Sequence, residues 1–251
     1  MSRILAVAYG VASYLLFLAS FLYAVGFVGD LVVPKSIDSG PTVALPASVL
    51  VDTLLLLLFA VPHSVMARPA FKKWWTRFVP PPVERSTYVL VSSLTMGFLF
   101  WQWRPIPTVL WHVANPVGRW LLLAVFWCGW AIALVSTFLI DHFDLFGLRQ
   151  VYLFASQREY TPPAFKTSGL YRFVRHPIMA GFLLAFWATP TMTLGHLLFA
   201  VATTVYILIA LQLEERDLVA CHGEQYRVYR KQAGMLLPLP RFPVVPAQPR
   251  R

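Results

Sequence analysis

PIMAGFLLAFWATPTMTLGHLLFAVATTVYILIALQL, residues 177–213, stands between VRH (174–176) and EERD (214–217). From Ile178 to Leu213 no Asp, Glu, Lys or Arg interrupts it. As one α-helix this run would extend about 54 Å, whereas about 30 Å of hydrocarbon is crossed by roughly 20 apolar residues. The run is therefore too long for one crossing. Its middle, TPTMTLG (189–195), supplies Pro190 and Gly195, which break a helix and allow a turn. The reading is two helices, near 178–190 and 193–213, folded as a hairpin that returns the chain to the side it left.

Working outward, four further apolar runs lie near 4–28, 43–67, 86–103 and 120–140, the second interrupted by Asp52 and His63. The whole chain is 58% hydrophobic and only 13% charged, too little charge for a water-soluble surface. The expected fold is an all-α integral membrane protein with about six transmembrane helices. It forms a single membrane-embedded domain over 1–251, with a cytoplasmic C-terminal helix after the hairpin and an extended Pro-rich tail over 238–251.

A net charge of +10 would suit nucleic acid or an anionic surface. Its distribution gives another explanation. With six helices, all but Lys35, Arg104 and Arg119 of the 21 Lys and Arg fall on one side. The positive-inside rule then puts both termini in the cytoplasm and excludes a nucleic-acid role for the charge. The N-terminal run is too long for a cleaved secretory signal. Cys128 falls inside a span and Cys221 on the cytoplasmic side, so no structural disulfide is expected.

The ionisable residues gather at the cytoplasmic helix ends, where charge near a membrane is costly and marks candidate function. HSVMAR (63–68) closes the second span, DHFDLFGLRQ (141–150) the fourth, and EERD the hairpin. In VRHP, Pro177 suits the first turn of a helix, and the free N–H groups beyond it favour an anion. Arg175 and His176 add to the same spot. The hairpin brings Glu214 and Glu215 back to it, either as a structural clasp or as a site for a zwitterion. Tyr226 and Arg230, four residues apart in a basic helix, share a face. Asp52, His112 and His196 lie toward the opposite side and carry no catalytic expectation.

The order Arg175-His176-Pro177, Gly181, Glu214-Glu215, Gly223, Tyr226, Tyr229 and Arg230 resembles the isoprenylcysteine carboxyl methyltransferase superfamily of membrane enzymes. Met179 stands where the prenylcysteine enzymes carry Tyr. HSVMARPAFKKWW (63–75) and DHFDLFGLRQVYLF (141–154) resemble the bacterial NnrU-like branch, in particular enzymes that methylate methanethiol. The resemblance implies an S-adenosyl-L-methionine-dependent S-methyltransferase producing dimethyl sulfide in the bacterial cytoplasmic membrane. Its partners would be a small thiol and the lipid bilayer, with no nucleic acid, no metal and no obligate protein partner.

Cofactor binding is expected from Arg175, His176, Pro177, Gly181, Glu214, Glu215, Tyr226 and Arg230. The candidate bases for the thiol are His142, Asp141 and Asp144, then His63. The sulfonium would favour aromatic faces, with Phe143, Phe146, Tyr152 and Phe173 near in sequence. Another thiol, a prenylcysteine or a lipid remains open as acceptor, as does a non-catalytic or haem-binding membrane protein.

Overall fold

A computed structural model describes residues 1–238; the tail from 239 onward lies outside the described residues. Four helices are long and apolar enough to cross a membrane: α1 (Arg3–Gly29), α2 (Leu45–Ala67), α5 (Pro116–Ile140) and α9 (Leu194–His222). Between them come α3 (Pro69–Trp75), α4 (Pro81–Gln102), α6 (His142–Leu145), α7 (Leu148–Ala155) and α8 (Pro177–Trp187); α10 (Glu224–Gln232) follows α9. The chain is thus an all-α membrane protein in outline, with four clear spans where six were expected.

The two other expected spans differ for physical reasons. α4 has 22 residues, long enough to span, but it is rich in Ser and Thr. Those hydroxyls are used between or within helices: Tyr9 Oη donates to Thr87 Oγ1 at 3.0 Å, and Ser93 Oγ donates to Val89 O at 2.8 Å. Buried Ser13, Ser86 and Ser93 accompany the packing of α4 on α1 and α2. Small hydroxyl residues let helices approach closely in lipid. α8 has only 11 residues, about 16 Å of helix.

The break after α8 falls where Pro190 and Gly195 foretold it. It contains a short strand, β2 (Thr191–Thr193), paired antiparallel with β1 (Val109–His112). This small sheet closes the end opposite the ionisable clusters and departs from a purely helical expectation. Its extended backbone completes hydrogen bonds between two connections. Fully buried Asp52 lies at this end and accepts from Arg104 N at 2.8 Å. The last expected helix also runs past its expected end: α9 continues through EERD to His222. Helix signals stop it only at Gly223, whose φ of +58° favours glycine.

The tightest pairing is α5 against α8. A Cβ on Gly181 would lie 2.5 Å from Gly129 O and 2.7 Å from Ala133 N, and one on Gly129 would lie 2.6 Å from Gly181 O. Gly181, expected at the cofactor, has its Cα face against the α5 backbone at this crossing. Phe27, Phe100, Trp103, Phe126, Trp130 and Phe199 fill the aromatic core above it. Cys128 and Cys221 are free thiols.

Gly181→Val should push a side chain into the α5 backbone and cost at least about 1–3 kcal/mol, as overpacking does. Gly97, with nothing within 4 Å of an added Cβ, provides the control: Gly97→Ala should hold or raise the thermal midpoint in detergent while Gly181→Val lowers it.

Candidate active site

At the ionisable end, backbone geometry sets the first positions. Arg175 N donates to Gly234 O at 2.7 Å, His176 N to Met235 O at 3.1 Å, and Gly234 N to Phe173 O at 3.2 Å. The segment after α10 is thereby laid alongside the segment before α8. His176 caps α8 and Pro177 occupies its first turn, as the sequence suggested. Tyr229 Oη donates to Tyr171 O at 2.5 Å, fastening α10 to the same segment.

Glu215, carried in by α9, is buried at the centre of this fastening. Its Oε1 accepts from Arg175 Nε at 2.7 Å and lies 3.2 Å from His176 Nε2; its Oε2 lies 3.2 Å from Arg230 Nε. Arg175 also donates from Nη1 to Ala233 O at 2.6 Å and Arg230 O at 3.1 Å, covering the carbonyl end of α10. A buried carboxylate is tolerable when paired this fully, and removing one partner of such a pair costs about 3–5 kcal/mol.

Glu214 differs from its neighbour. Its side chain is 45% exposed and its Oε2 is 3.9 Å from His176 Nδ1. Arg230 is likewise 47% exposed, so it presents a free edge despite its bond to Glu215. Tyr226 is buried to 1% exposure, and its hydroxyl has no hydrogen-bond partner among the described residues. Burial pushes the Tyr226 phenol above its ordinary range and the Tyr229 phenol up to about 12. Sequence reasoning thus brought Arg175, His176, Glu214, Glu215, Tyr226 and Arg230 into one neighbourhood.

The DHFDLFGLRQ stretch forms a second centre. Asp141 caps α6 by accepting from Asp144 N at 3.2 Å. Asp144 pairs with Arg149 Nη1 at 3.0 Å and accepts from Tyr160 Oη at 3.2 Å. His142 is buried and stacks on Phe138, with ring centroids 4.0 Å apart. Thr137 Oγ1 gives its only proton to Leu134 O, so it receives the Nδ1–H of His142 at 2.7 Å. Nε2 then accepts from Tyr14 Oη at 2.9 Å. Burial lowers the His142 pKa, so the ring is neutral.

His63 repeats that arrangement on α2. Ser92 Oγ donates to Tyr88 O at 2.8 Å and receives His63 Nδ1–H at 3.0 Å, while Tyr88 Oη, 3.2 Å from Nδ1 and 2.9 Å from Nε2, donates to Nε2. Both histidines thus keep Nε2 as an acceptor behind a tyrosine hydroxyl. Tyr88 lies under the Arg85 guanidinium, 4.7 Å from its ring centre, and within charge range of Glu214. Arg68 pairs with Asp217 at 2.7 Å, joining α2 to α9.

The sequence did not signal Tyr14, Arg85, Tyr88 or Tyr160. Tyr14 reaches His142 across 128 positions, and no local motif encodes such a pairing. Nor did it signal a cleft of about 600 Å³ bounded by α3, α4, α6 and α7, which includes Asp141 and Asp144 but not the Glu215 cluster. Among the described residues no three His, Cys, Asp or Glu are grouped to hold a metal ion.

These features define a multi-pass helical membrane protein with its ionisable chemistry concentrated at one end. The family model described as NnrU protein matches residues 51–220, and the chain belongs to that family. It is 59% identical to a methanethiol S-methyltransferase of Mycobacterium tuberculosis, over 96% of this chain and 98% of the relative. Methanethiol S-methyltransferase 2 of Bradyrhizobium diazoefficiens is 57% identical over 94% of this chain and 91% of its own length. Mouse nurim is 32% identical over 68% of each chain. No solved structure shows a significant match.

A pH experiment tests the environment of His142. Its folded-state pKa is lowered, so as pH falls below about 6.5 the unfolded chain takes up the proton first. That contribution destabilises the fold progressively through this window and is absent above it. The thermal midpoint of wild type should therefore drop more between pH 7.5 and 5.5 than that of His142→Phe; equal drops would contradict the neutral, buried assignment.

Proposed function

We propose that the protein is an S-adenosyl-L-methionine-dependent S-methyltransferase that converts methanethiol to dimethyl sulfide at the cytoplasmic face of a bacterial inner membrane. One observation carries this reading: 59% identity to a methanethiol S-methyltransferase over nearly the full length of both chains. The concentration of Lys and Arg at the ionisable end supports cytoplasmic termini.

The donor set around Glu215 fits the cofactor. The amino-acid end of S-adenosyl-L-methionine is a zwitterion, and the exposed edges of Arg230 and Glu214 offer one cation and one carboxylate at the same mouth. The start of α8, at His176 and Pro177, adds free N–H groups suited to a carboxylate. Buried Tyr226 holds a hydroxyl that has no partner among the described residues and is free to meet a ligand. Arg175 and Glu215 satisfy each other, so their part is to fix the positions of His176 and Arg230. When bound, the cofactor supplies an electrophilic methyl group on a sulfonium sulfur.

Among the candidate bases, Asp141 is engaged as a helix cap and Asp144 in its pair with Arg149. His63 is the better placed histidine, because its partner Tyr88 lies within charge range of Glu214. A thiol proton passes to Tyr88 Oη as the tyrosine proton passes to His63 Nε2. The products are a thiolate and an imidazolium, with the Arg85 guanidinium over the Tyr88 ring. The thiolate is the nucleophile needed for methyl transfer, and a small thiol supplies little of it unaided at neutral pH. Apolar methanethiol arrives through lipid, and dimethyl sulfide leaves the same way.

Membranes containing the protein should convert methyl-labelled S-adenosyl-L-methionine and methanethiol into labelled dimethyl sulfide in the headspace; none formed, with other thiols or lipids labelled instead, overturns the acceptor. Glu215→Ala should lose both stability and activity, because the residue is a buried pairing partner. Tyr226→Phe discriminates better. Deleting an unpartnered hydroxyl should leave the thermal midpoint unchanged or higher, yet weaken cofactor binding by about fivefold or more, the size of one lost hydrogen bond.

A further inference from the structure

The 600 Å³ cleft lies within the size range of small-molecule sites. One rim is the segment 158–168, which has no regular secondary structure yet is tethered. Tyr160 Oη donates to Asp144 Oδ2 at 3.2 Å, Arg149 Nη1 donates to Thr161 O at 2.9 Å, and the Arg149 guanidinium lies 5.5 Å from the Tyr160 ring centre. An aromatic ring is thereby held at the edge of a cavity by polar bonds.

The wall carries Gln150. Its Nε2 donates to Asp144 O at 3.1 Å, which fixes the amide, since a flip would set two carbonyl oxygens together. Its Oε1 is then buried and has no donor among the described residues. An orphaned acceptor of this kind costs free energy unless a bound molecule supplies an N–H or O–H. A carboxylate has no such donor to give. The charges agree: Lys72, Arg85 and Arg158 face Glu84, Asp141 and Asp144, a balanced lining that does not select an anion.

The cleft also reaches the His63 centre. Arg85 lines it, and the same guanidinium covers the Tyr88 ring, whose hydroxyl is bonded to His63. We infer that this cleft takes the purine-nucleoside moiety of the methyl donor, with the Tyr160 ring and Gln150 Oε1 as its recognition elements; this rests on the methyltransferase reading above. Glu214 and Arg230, with their exposed edges, would serve the amino-acid end of the same molecule.

The test is binding without turnover. Full-length protein in lipid nanodiscs is titrated calorimetrically with S-adenosylhomocysteine, and Gln150→Met should weaken its affinity about tenfold. Unchanged affinity in Gln150→Met, with wild type binding normally, overturns the inference and leaves the methyltransferase reading standing. Absence of any binding to wild type overturns both. A second measurement does not depend on altering Gln150. Thr76→Cys, on the cleft wall, is introduced with Cys128→Ala and Cys221→Ala and alkylated with a maleimide. S-adenosylhomocysteine and 5′-methylthioadenosine should slow that labelling, and homocysteine should not. Protection by homocysteine alone, or none by S-adenosylhomocysteine, overturns the inference.

Discussion

A carboxylate buried where a helix leaves the membrane must be neutralised or it will not stay charged, and Glu215 meets this demand by drawing two other segments toward it. Arg175 and His176 come from the start of α8 and Arg230 from α10. Arg175 then uses its remaining donors on the last carbonyls of α10. A single residue on α9 thus dictates how the hairpin closes and where the C-terminal helix docks. Such a clasp is not an efficient source of stability, because desolvating its charges offsets much of their attraction. Its consequence is positional. It fixes the half-exposed edges of Glu214 and Arg230 at a common mouth, where a pair held only by flexible surface chains would wander.

The α5–α8 crossing supplies the complementary constraint from within the bundle. Gly129 and Gly181 allow the two backbones to touch, so α8 cannot rise or tilt without losing that contact. A helix of only 11 residues would otherwise be poorly anchored. Pinned by glycine packing along its length and by the Glu215 cluster at its start, it holds the N–H groups of its first turn steady. The structural and proposed chemical roles of the RHP-to-Gly segment are therefore divided along its length: the first residues face the ion cluster, and the glycine faces another helix.

The break between α8 and α9 and the meeting of VRHP with EERD were legible because each follows from local composition. Length and Pro190 suffice for the break, and the pairing of Glu215 with Arg175 and His176 brings its two flanks together. What was illegible depends on partners distant in sequence. α9 runs beyond Leu213 because Arg175, Arg230 and Arg68 neutralise its acidic residues, and hydropathy alone cannot anticipate that. The Ser-rich character of α4 weakens its apolar signal, yet Thr87 and Ser93 make their bonds inside the bundle. The packing of Gly181 against α5 was not legible either, because only the neighbouring helix reveals it. The β1–β2 pair joins two connections that give no strand signal separately.

The two histidines show how such distant partners set chemistry as well as fold. In each, a hydroxyl that already donates to a main-chain carbonyl in its own helix can only accept, so it fixes the imidazole proton on Nδ1. Nε2 is left as the acceptor and is covered by a tyrosine hydroxyl. An imidazole alone in an apolar setting would have no defined tautomer; these two have one because α-helical Ser and Thr turn back on their own backbone. The same covering separates the rings from anything else in the bundle. A proton destined for either ring must cross a phenol, so a tyrosine, not the histidine, is the group that a thiol would meet. Of the two, Tyr88 has the guanidinium of Arg85 over its ring. That cation favours negative charge developing on the phenol oxygen or on a nearby sulfur, and it favours neither through a residue that the motif alone would have singled out.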